Sequence, residues 1–310
     1  HLLSSNILDY TGMRMIKPQI IKATGETEDF SEYKLNHSLI QAGVEKTLRH
    51  EIIESVKEHL RTITPTDDIH EFIFNILKHT DSASAARYNL RRAVMALGQT
   101  GFPFEQYVSN LLSHYDYQTE TNKIIKGVCV NHEVDIVAIK SDTRYMIECK
   151  FHNKVGVKSD IKTALYIWAR FGDISQAWEN NKQIEQKIHQ AWLITNTKVT
   201  SDAENFAKCR GMAITSWYRP YRKSLKDMIV NSGMWPVTCL TSLPSSTHEE
   251  LIKQNMYLCK DVMHTSRHKI HGITSHELKI AREEAEFVCQ IPNLNIDVDI
   301  DSSETSPEEN

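Results

Sequence analysis

Apolar positions recur at two different spacings along this 310-residue chain, and the change of spacing divides it. From Ile16 to Leu112 the period is mostly helical. Leu35, Leu39, Ile40 and Val44 share one helical face that ends in the Gly43 region, and Ile52, Ile53, Val56 and Leu60 share another. Pro65-Thr66-Asp67-Asp68 combines a proline with acidic first-turn residues, a helix start, and Ile69, Phe72, Ile73 and Ile76 follow at helical intervals. A further run, Ala86, Leu90, Ala93 and Val94, stops at Leu97-Gly98. Ahead of these helices Ile16–Lys22 is β-prone, Ala23-Thr24-Gly25-Glu26 turns the chain, and Glu28-Asp29-Phe30 returns it as a hairpin. The expectation for 16–98 is a helical bundle capped by a β-hairpin.

After Gly101-Phe102-Pro103 the pattern changes. Phe104 to Leu112 reads as a helix with Tyr107, Val108, Leu111 and Leu112 inward. Strand-like stretches follow near 116–126, 132–140 and 144–152, then a long helix over 158–188. A buried strand at 191–195, a helix at 201–210 and a strand at 212–215 complete an αβββαβαβ order, which belongs to a mixed sheet with helices on its faces. Beyond Trp235 the pattern gives helical pieces at 247–263 and 275–289. The fold class is thus α/β and α, with domains at 16–98 and 99–234, a helical region at 235–290 and an acidic disordered tail at 291–310.

Composition narrows the class. Hydrophobic residues make up 40% and charged residues 25%, the balance of a globular protein. No apolar run nears the ~20 residues that cross a bilayer, which excludes an integral helical membrane protein. The net charge is −4, but residues 292–310 hold six acids and no Lys or Arg, so the rest of the chain stands at +2. A mildly basic body with an acidic tail is compatible with a nucleic-acid partner. Six scattered cysteines without a CxxC pair suit a reducing cytoplasm. Residues 1–15 lack the features of a signal peptide and read as a leader or remnant, with Met13 or Met15 a candidate start.

The strongest chemistry sits on two neighbouring strands, His132–Ala138 and Tyr145–Lys150. Side chains alternate along a strand, so Glu148 and Lys150 share a face while Ile147 and Cys149 point into packing. A hairpin can bring Asp135 beside Glu148. Two such carboxylates disfavour each other unless a cation neutralises them, and hard oxygen ligands favour Mg²⁺ or Mn²⁺. Lys150 would orient an attacking water, and Glu105 on the preceding helix could add a third carboxylate. The bland alternative is a surface hairpin with an exposed Glu–Lys pair.

Asp135, Glu148-Cys149-Lys150 and Glu105 in this order of elements resemble the PD-(D/E)XK nuclease superfamily, in particular its Mrr-like restriction endonuclease branch, over about 104–218. Val134 stands before Asp135 where the pattern has Pro. The resemblance implies a metal-dependent DNA endonuclease with Asp135 and Glu148 on the metal and Lys150 and Glu105 completing the catalytic set.

A second resemblance covers 16–98. Lys22-Ala23-Thr24-Gly25, Glu28, Phe30, Lys34-Leu35, Thr66–Glu71 and Ala85-Ala86-Arg87-Tyr88 resemble the ATP-cone domain of ribonucleotide reductases and their repressors. It implies binding of ATP or dATP by Lys22, Thr24, Gly25, Glu28, Lys34, Thr66 and Arg87. Ala23 replaces a residue that is usually basic there. No GxxxxGK[ST] loop is present, so the nucleotide would be regulatory.

Weaker signals remain. Lys154, Lys158 and Lys162, with Arg219 and Arg222 in Trp217–Lys223, could line DNA, although a solvated helix face and a packed strand exit explain them equally well. Leu240–Pro244 with Glu250–Lys253 and Leu258 vaguely resembles a helix-hairpin-helix module whose hairpin glycine is missing. Cys259, His264, His268, His271 and His276 match no zinc spacing. The expectation is a cytoplasmic, Mg²⁺-dependent endonuclease under nucleotide control, in which an oligomer would supply the second cut of a duplex. The rival is a non-catalytic, nucleotide-responsive DNA-binding regulator on the same fold.

Overall fold

The structure, a computed structural model, describes residues 18–60, 63–180, 187–266 and 270–290. The proposed leader and acidic tail, and His268, lie outside the described residues.

The N-terminal unit opens with β1 (Gln19–Ile21) and β2 (Thr27–Asp29), antiparallel in the register Ile20↔Glu28. The turn between them is closed by Lys22 N–H on Glu26 O and Gly25 N–H on Lys22 O, with Gly25 at φ +85°, where a residue without Cβ is favoured. A third strand that the hydrophobic pattern did not reveal, β3 (Ile63–Pro65), pairs parallel with β1. It is three residues long, too short to show alternation. Helices α1 (Glu32–Gln41), α2 (Lys46–His59) and α3 (Thr66–Thr80) pack around Leu39, Ile52, Ile73 and Leu77. The fourth predicted helix is two, α4 (Ser82–Tyr88) and α5 (Leu90–Met95), separated by Asn89.

The second unit follows the predicted order. Helix α6 (Phe102–His114) leads into β4 (Gln118–Lys126), β5 (Asn131–Lys140) and β6 (Thr143–Lys150). After the two-residue β7 (Lys158–Ser159) come α7 (Ile161–Asn180), β8 (Gln190–Thr195), β9 (Lys198–Val199), α8 (Ser201–Arg210) and β10 (Ala213–Thr215). The main sheet has the order β10-β8-β6-β5-β4; β4, β5 and β6 are antiparallel, and β6, β8 and β10 are parallel. One face buries Ile136, Ala138, Ile147 and Cys149 under α6. The other buries Val137, Met146 and Leu193 under α7 and α8. The start of the predicted long helix is corrected: Lys158 and Ser159 pair with Lys198 and Val199 instead.

The region after Trp235 does not form a core of its own. Helix α9 (Leu225–Ser232), a 3-10 turn at Val237–Cys239, α10 (Ser245–Lys253), α11 (Cys259–His264) and α12 (Ser275–Cys289) share one cluster with α6 and with Ala86, Leu90, Val94 and Leu97. The predicted helix over 247–263 is therefore broken, with a left-handed Asn255 in the break and a bridge from Leu258 to Pro236. Polar anchors fix this region. Thr238 Oγ1 donates to Ala93 O at 2.6 Å, Tyr107 Oη to Met234 O at 2.8 Å, and buried Glu284 accepts from the Thr241 and Ser242 backbone. This C-terminal region joins the N-terminal helices to the sheet. No described helix is long and apolar enough to cross a membrane.

Candidate active site

The antiparallel ladder between β5 and β6 ends at Ile136↔Ile147. Asp135 and Glu148 are the next residue outward on each strand. β6 continues beyond them, held by β8 as far as Lys150↔Thr195, so the strands part at the carboxylates while β6 stays anchored.

β5 also twists at this point. Val134 belongs to the cluster under α7 and Ile136, two residues on, to the cluster under α6, a departure from simple alternation. Across the ladder, Asn122 of β4 takes φ +53°, between the pairs Thr121↔Ile136 and Lys123↔Val134. Asparagine tolerates the left-handed region better than a branched residue. The parting is bridged by a side chain: Cys149 N–H donates to Asp135 Oδ2 at 2.7 Å.

Asp135 and Glu148 line a cavity of about 290 Å³ with Asn131, His132, Glu133, Tyr166 and Arg170. Glu148 Oε2 accepts from Arg170 Nη1 of α7, and the Tyr166 ring lies 5.3 Å from that guanidinium. Asp173, one turn further along α7, clamps the β4–β5 turn: it accepts from Cys129 N–H at 2.9 Å and sits 2.7 Å from His132 Nε2. Gly127 makes this approach possible, since a Cβ there would lie 2.0 Å from Asp173 Oδ2.

The carboxylates strain against one another. Burial, then Asp135, push Glu148 up to about 7, although Arg170 and Lys150 pull the other way. Glu105, in the first turn of α6, is pushed to about 7 by burial and then by Asp135, Glu148 and Glu133. Asp135 is raised, mainly by burial, despite the Cys149 N–H. Asp173 is held far below the usual carboxylate range by His132 and by backbone donors. Like charges that have been desolvated favour either protonation or a cation.

Asp135, Glu148 and Glu105 thus come into one electrostatic neighbourhood, and Lys150 stands at its exposed end. Among the described residues no three His, Cys, Asp or Glu side chains converge as a ready metal cage. The two-carboxylate pair is what the strands supply. The pattern of the sequence did not single out Arg170, Tyr166, Glu133, His132 or Asp173. Arg170 is only 8% exposed on an otherwise amphipathic helix, and a charge at a buried helical position was the available signal.

In the N-terminal unit, Glu28 lies between two lysines, 2.9 Å from Lys22 Nζ and 3.4 Å from Lys34 Nζ. Burial raises Glu28, but the two lysines outweigh it and hold the carboxyl low. Thr66, at the start of α3, donates through Oγ1 to Ile21 O at 3.2 Å, next to Lys22. Thr24 and Gly25 are exposed on the turn. Arg87 donates through its guanidinium to Phe287 O at 2.6 Å and Gln290 O at 3.0 Å, holding the end of α12.

Of the proposed DNA-facing residues, Lys154, Lys158, Lys162, Arg219 and Arg222 are all exposed. The rings beside the last two differ. Trp217 is buried, Tyr218 is flanked by Arg91 at 5.7 Å and Lys198 at 5.4 Å, and Tyr221 is 74% exposed.

Residues 235–289 match a family model described as AF1548-like, C-terminal. An uncharacterized protein of Archaeoglobus fulgidus is 33% identical over 166 residues, which are 54% of this chain and 89% of that protein. The crystal structure of a protein of unknown function, AF1548, superposes with a TM-score of 0.52 at 31% identity, covering 61% of this chain and 98% of that one.

Proposed function

The chain belongs to the AF1548-like family, and for it we propose a divalent-cation-dependent DNA endonuclease under the control of a nucleotide-binding N-terminal cone. The observation that carries the reading is the pairing of Asp135 and Glu148 where the β5–β6 ladder opens, both lining one cavity.

The residues fit a hard divalent ion such as Mg²⁺ or Mn²⁺. Glu105, Glu133, Asp135 and Glu148 face Arg170 and Lys150, and His132 is matched by Asp173. When all four acids are ionised the site stands at a formal −2, the charge of one divalent ion. Mg²⁺ is commonly held by one or two carboxylates, the rest of its shell coming from water and phosphate oxygens. Asp135 and Glu148 would hold it. When bound, it would polarise a phosphoryl oxygen and lower the pKa of a coordinated water.

The protein's own groups supply the rest. Cys149 N–H fixes the Asp135 carboxyl, Arg170 fixes that of Glu148, and Lys150 at the rim orients the attacking water. In hydrolysis the water oxygen bonds to phosphorus, one P–O ester bond breaks, and the water's proton passes to a carboxylate while the leaving oxygen takes a proton from solvent water. The exposed Lys154, Lys158, Lys162, Arg219 and Arg222 would meet the DNA backbone. ATP or dATP would lie against Lys22, Thr24, Gly25, Lys34 and Thr66, displacing Glu28 from its lysines. An oligomer would supply the second cut of a duplex.

The test is incubation of supercoiled plasmid with the protein and Mg²⁺. Nicking that EDTA stops and Glu148→Ala abolishes supports the enzyme. DNA retained without strand breaks, under any metal or nucleotide, would favour the regulator. Calorimetry with ATP and with dATP tests the cone, and no heat with either leaves it a packing element.

A further inference from the structure

Arg170 is a residue for which the spacing of the motif gave no role. It comes from the middle of α7, 22 residues beyond Glu148, and its side chain is 10% exposed. Its charge is not buried at random. Nη1 bonds Glu148 Oε2, the Tyr166 ring lies beside the guanidinium, and both residues line the same cavity as Asp135. Among the residues lining that cavity, Glu133, Asp135 and Glu148 are acids and Arg170 is the one permanent cation.

An anionic phosphodiester entering such a cavity meets three carboxylates. A cation bound by Asp135 and Glu148 would relieve part of that repulsion, but the phosphate's remaining oxygens need a donor. Guanidinium carries five N–H donors in a planar fork that fits phosphate oxygens in pairs. The bond to Glu148 uses one nitrogen of the fork, and the ring of Tyr166 restrains its plane. Tyr166 is itself 61% exposed, so this side of the cavity faces solvent.

We propose that Arg170 is a catalytic residue that receives the scissile phosphate, holding Glu148 through one part of its guanidinium and the phosphate through another. This rests on the nuclease reading and adds to it the group that grips the substrate's charge. It also assigns α7 a function: the helix carries the phosphate-binding group one turn before Asp173, which holds His132, another lining residue, and the β4–β5 turn.

The experiment compares wild type, Arg170→Lys and Arg170→Met as full-length, folded chains, the folding checked by circular dichroism. Mn²⁺ binding is measured by calorimetry, and contact with inorganic phosphate by the broadening of its ³¹P resonance by protein-bound Mn²⁺. Plasmid cleavage at saturating Mn²⁺ gives kcat and KM. In Arg170→Met, Mn²⁺ affinity should stay within threefold of wild type or rise, because Glu148 loses a competing cation. The ³¹P broadening should fall at least tenfold and kcat on the order of a hundredfold. Arg170→Lys, which keeps the charge without the fork, should fall between the two.

Phosphate contact unchanged in Arg170→Met would overturn the assignment. So would a parallel loss of Mn²⁺ affinity, which would make Arg170 only a prop for Glu148. If wild type binds Mn²⁺ and phosphate but cuts no DNA, the nuclease reading fails, while the ³¹P comparison still decides the role of Arg170. A wild type that binds no Mn²⁺ overturns both.

Discussion

The molecule contains two clusters of charged side chains built on opposite principles. In the N-terminal cap Glu28 sits between Lys22 and Lys34, so opposite charges satisfy one another on an open surface. On the sheet, Asp135, Glu148 and Glu105 are like charges brought together by the fold, and all three carboxyls are raised. The first cluster is complete without a ligand and must break ion pairs to accept an anion. The second is under-neutralised and, on the proposed reading, would gain by accepting a cation. Backbone support differs in the same sense: a Cβ at Gly25 of the cap would meet nothing within 4 Å, whereas one at Gly127 would collide with Asp173. A site that must hold unfavourable charges in place needs a rigid frame, and the sheet has one.

The largest effect that would sharpen this contrast is on catalysis. Glu148→Gln keeps the shape and removes the charge, and cleavage with Mg²⁺ should fall by at least about a hundredfold, since even outer ligands of metal sites are worth 10–100-fold. The same exchange in the cap, Glu28→Gln, should leave the rate without nucleotide unchanged.

The frame comes next. Gly127→Ala forces Asp173 or the turn at Val130 to move, at a cost of about 1–3 kcal/mol in chemical denaturation, typical of overpacking. Gly25→Ala costs only the strain of its φ +85° backbone, roughly 1 kcal/mol. Equal losses at the two glycines would break the comparison.

Burial and its like-charged neighbours make Glu105 a source of pH dependence. Its folded pKa, about 7, lies above the ordinary 4.5, so the folded protein binds the extra proton. Stability must then fall as pH rises from about 4.5 to 7. Glu105→Gln removes that loss. Its melting temperature should match wild type near pH 4 and exceed it at pH 8 by about 2 °C, which corresponds to ~1 kcal/mol once the open cavity's water has screened the interaction. A variant that melts lower than wild type at pH 8 would contradict the repulsion.

The smallest effect belongs to the cap. Glu28→Gln frees Lys22 and Lys34 from their shared partner, and ATP should bind about two- to fivefold more tightly in calorimetry, the range set by exposed ion pairs. Weaker binding would mean that Glu28 holds the nucleotide and does not block it.

Much of the fold could be read from the chain because its elements are long enough to show a period. The αβββαβαβ order holds, and Asp135 and Glu148 meet because antiparallel pairing up to Ile136↔Ile147 puts them opposite each other. Three features were not legible, each for a physical reason. Two- and three-residue strands, such as β3 and β7, carry no alternation. Arg87 stands in a helix resembling a nucleotide-binding one, yet its partners are carbonyls 200 residues away, which no local pattern encodes. Arg170 is a cation on the buried side of a helix whose partner lies on another element. The helical region expected at 235–290 packs into the cluster it shares with α6, where its apolar residues meet Leu90 and Val94.

The central claim is that the two strand-borne acids form a site for one divalent cation. Calorimetric titration of Mn²⁺ into wild type and into the double variant Asp135→Asn/Glu148→Gln tests it most directly. The account predicts one ion bound per wild-type chain and no saturable heat in the double variant. Binding of equal stoichiometry and affinity by both proteins would contradict it.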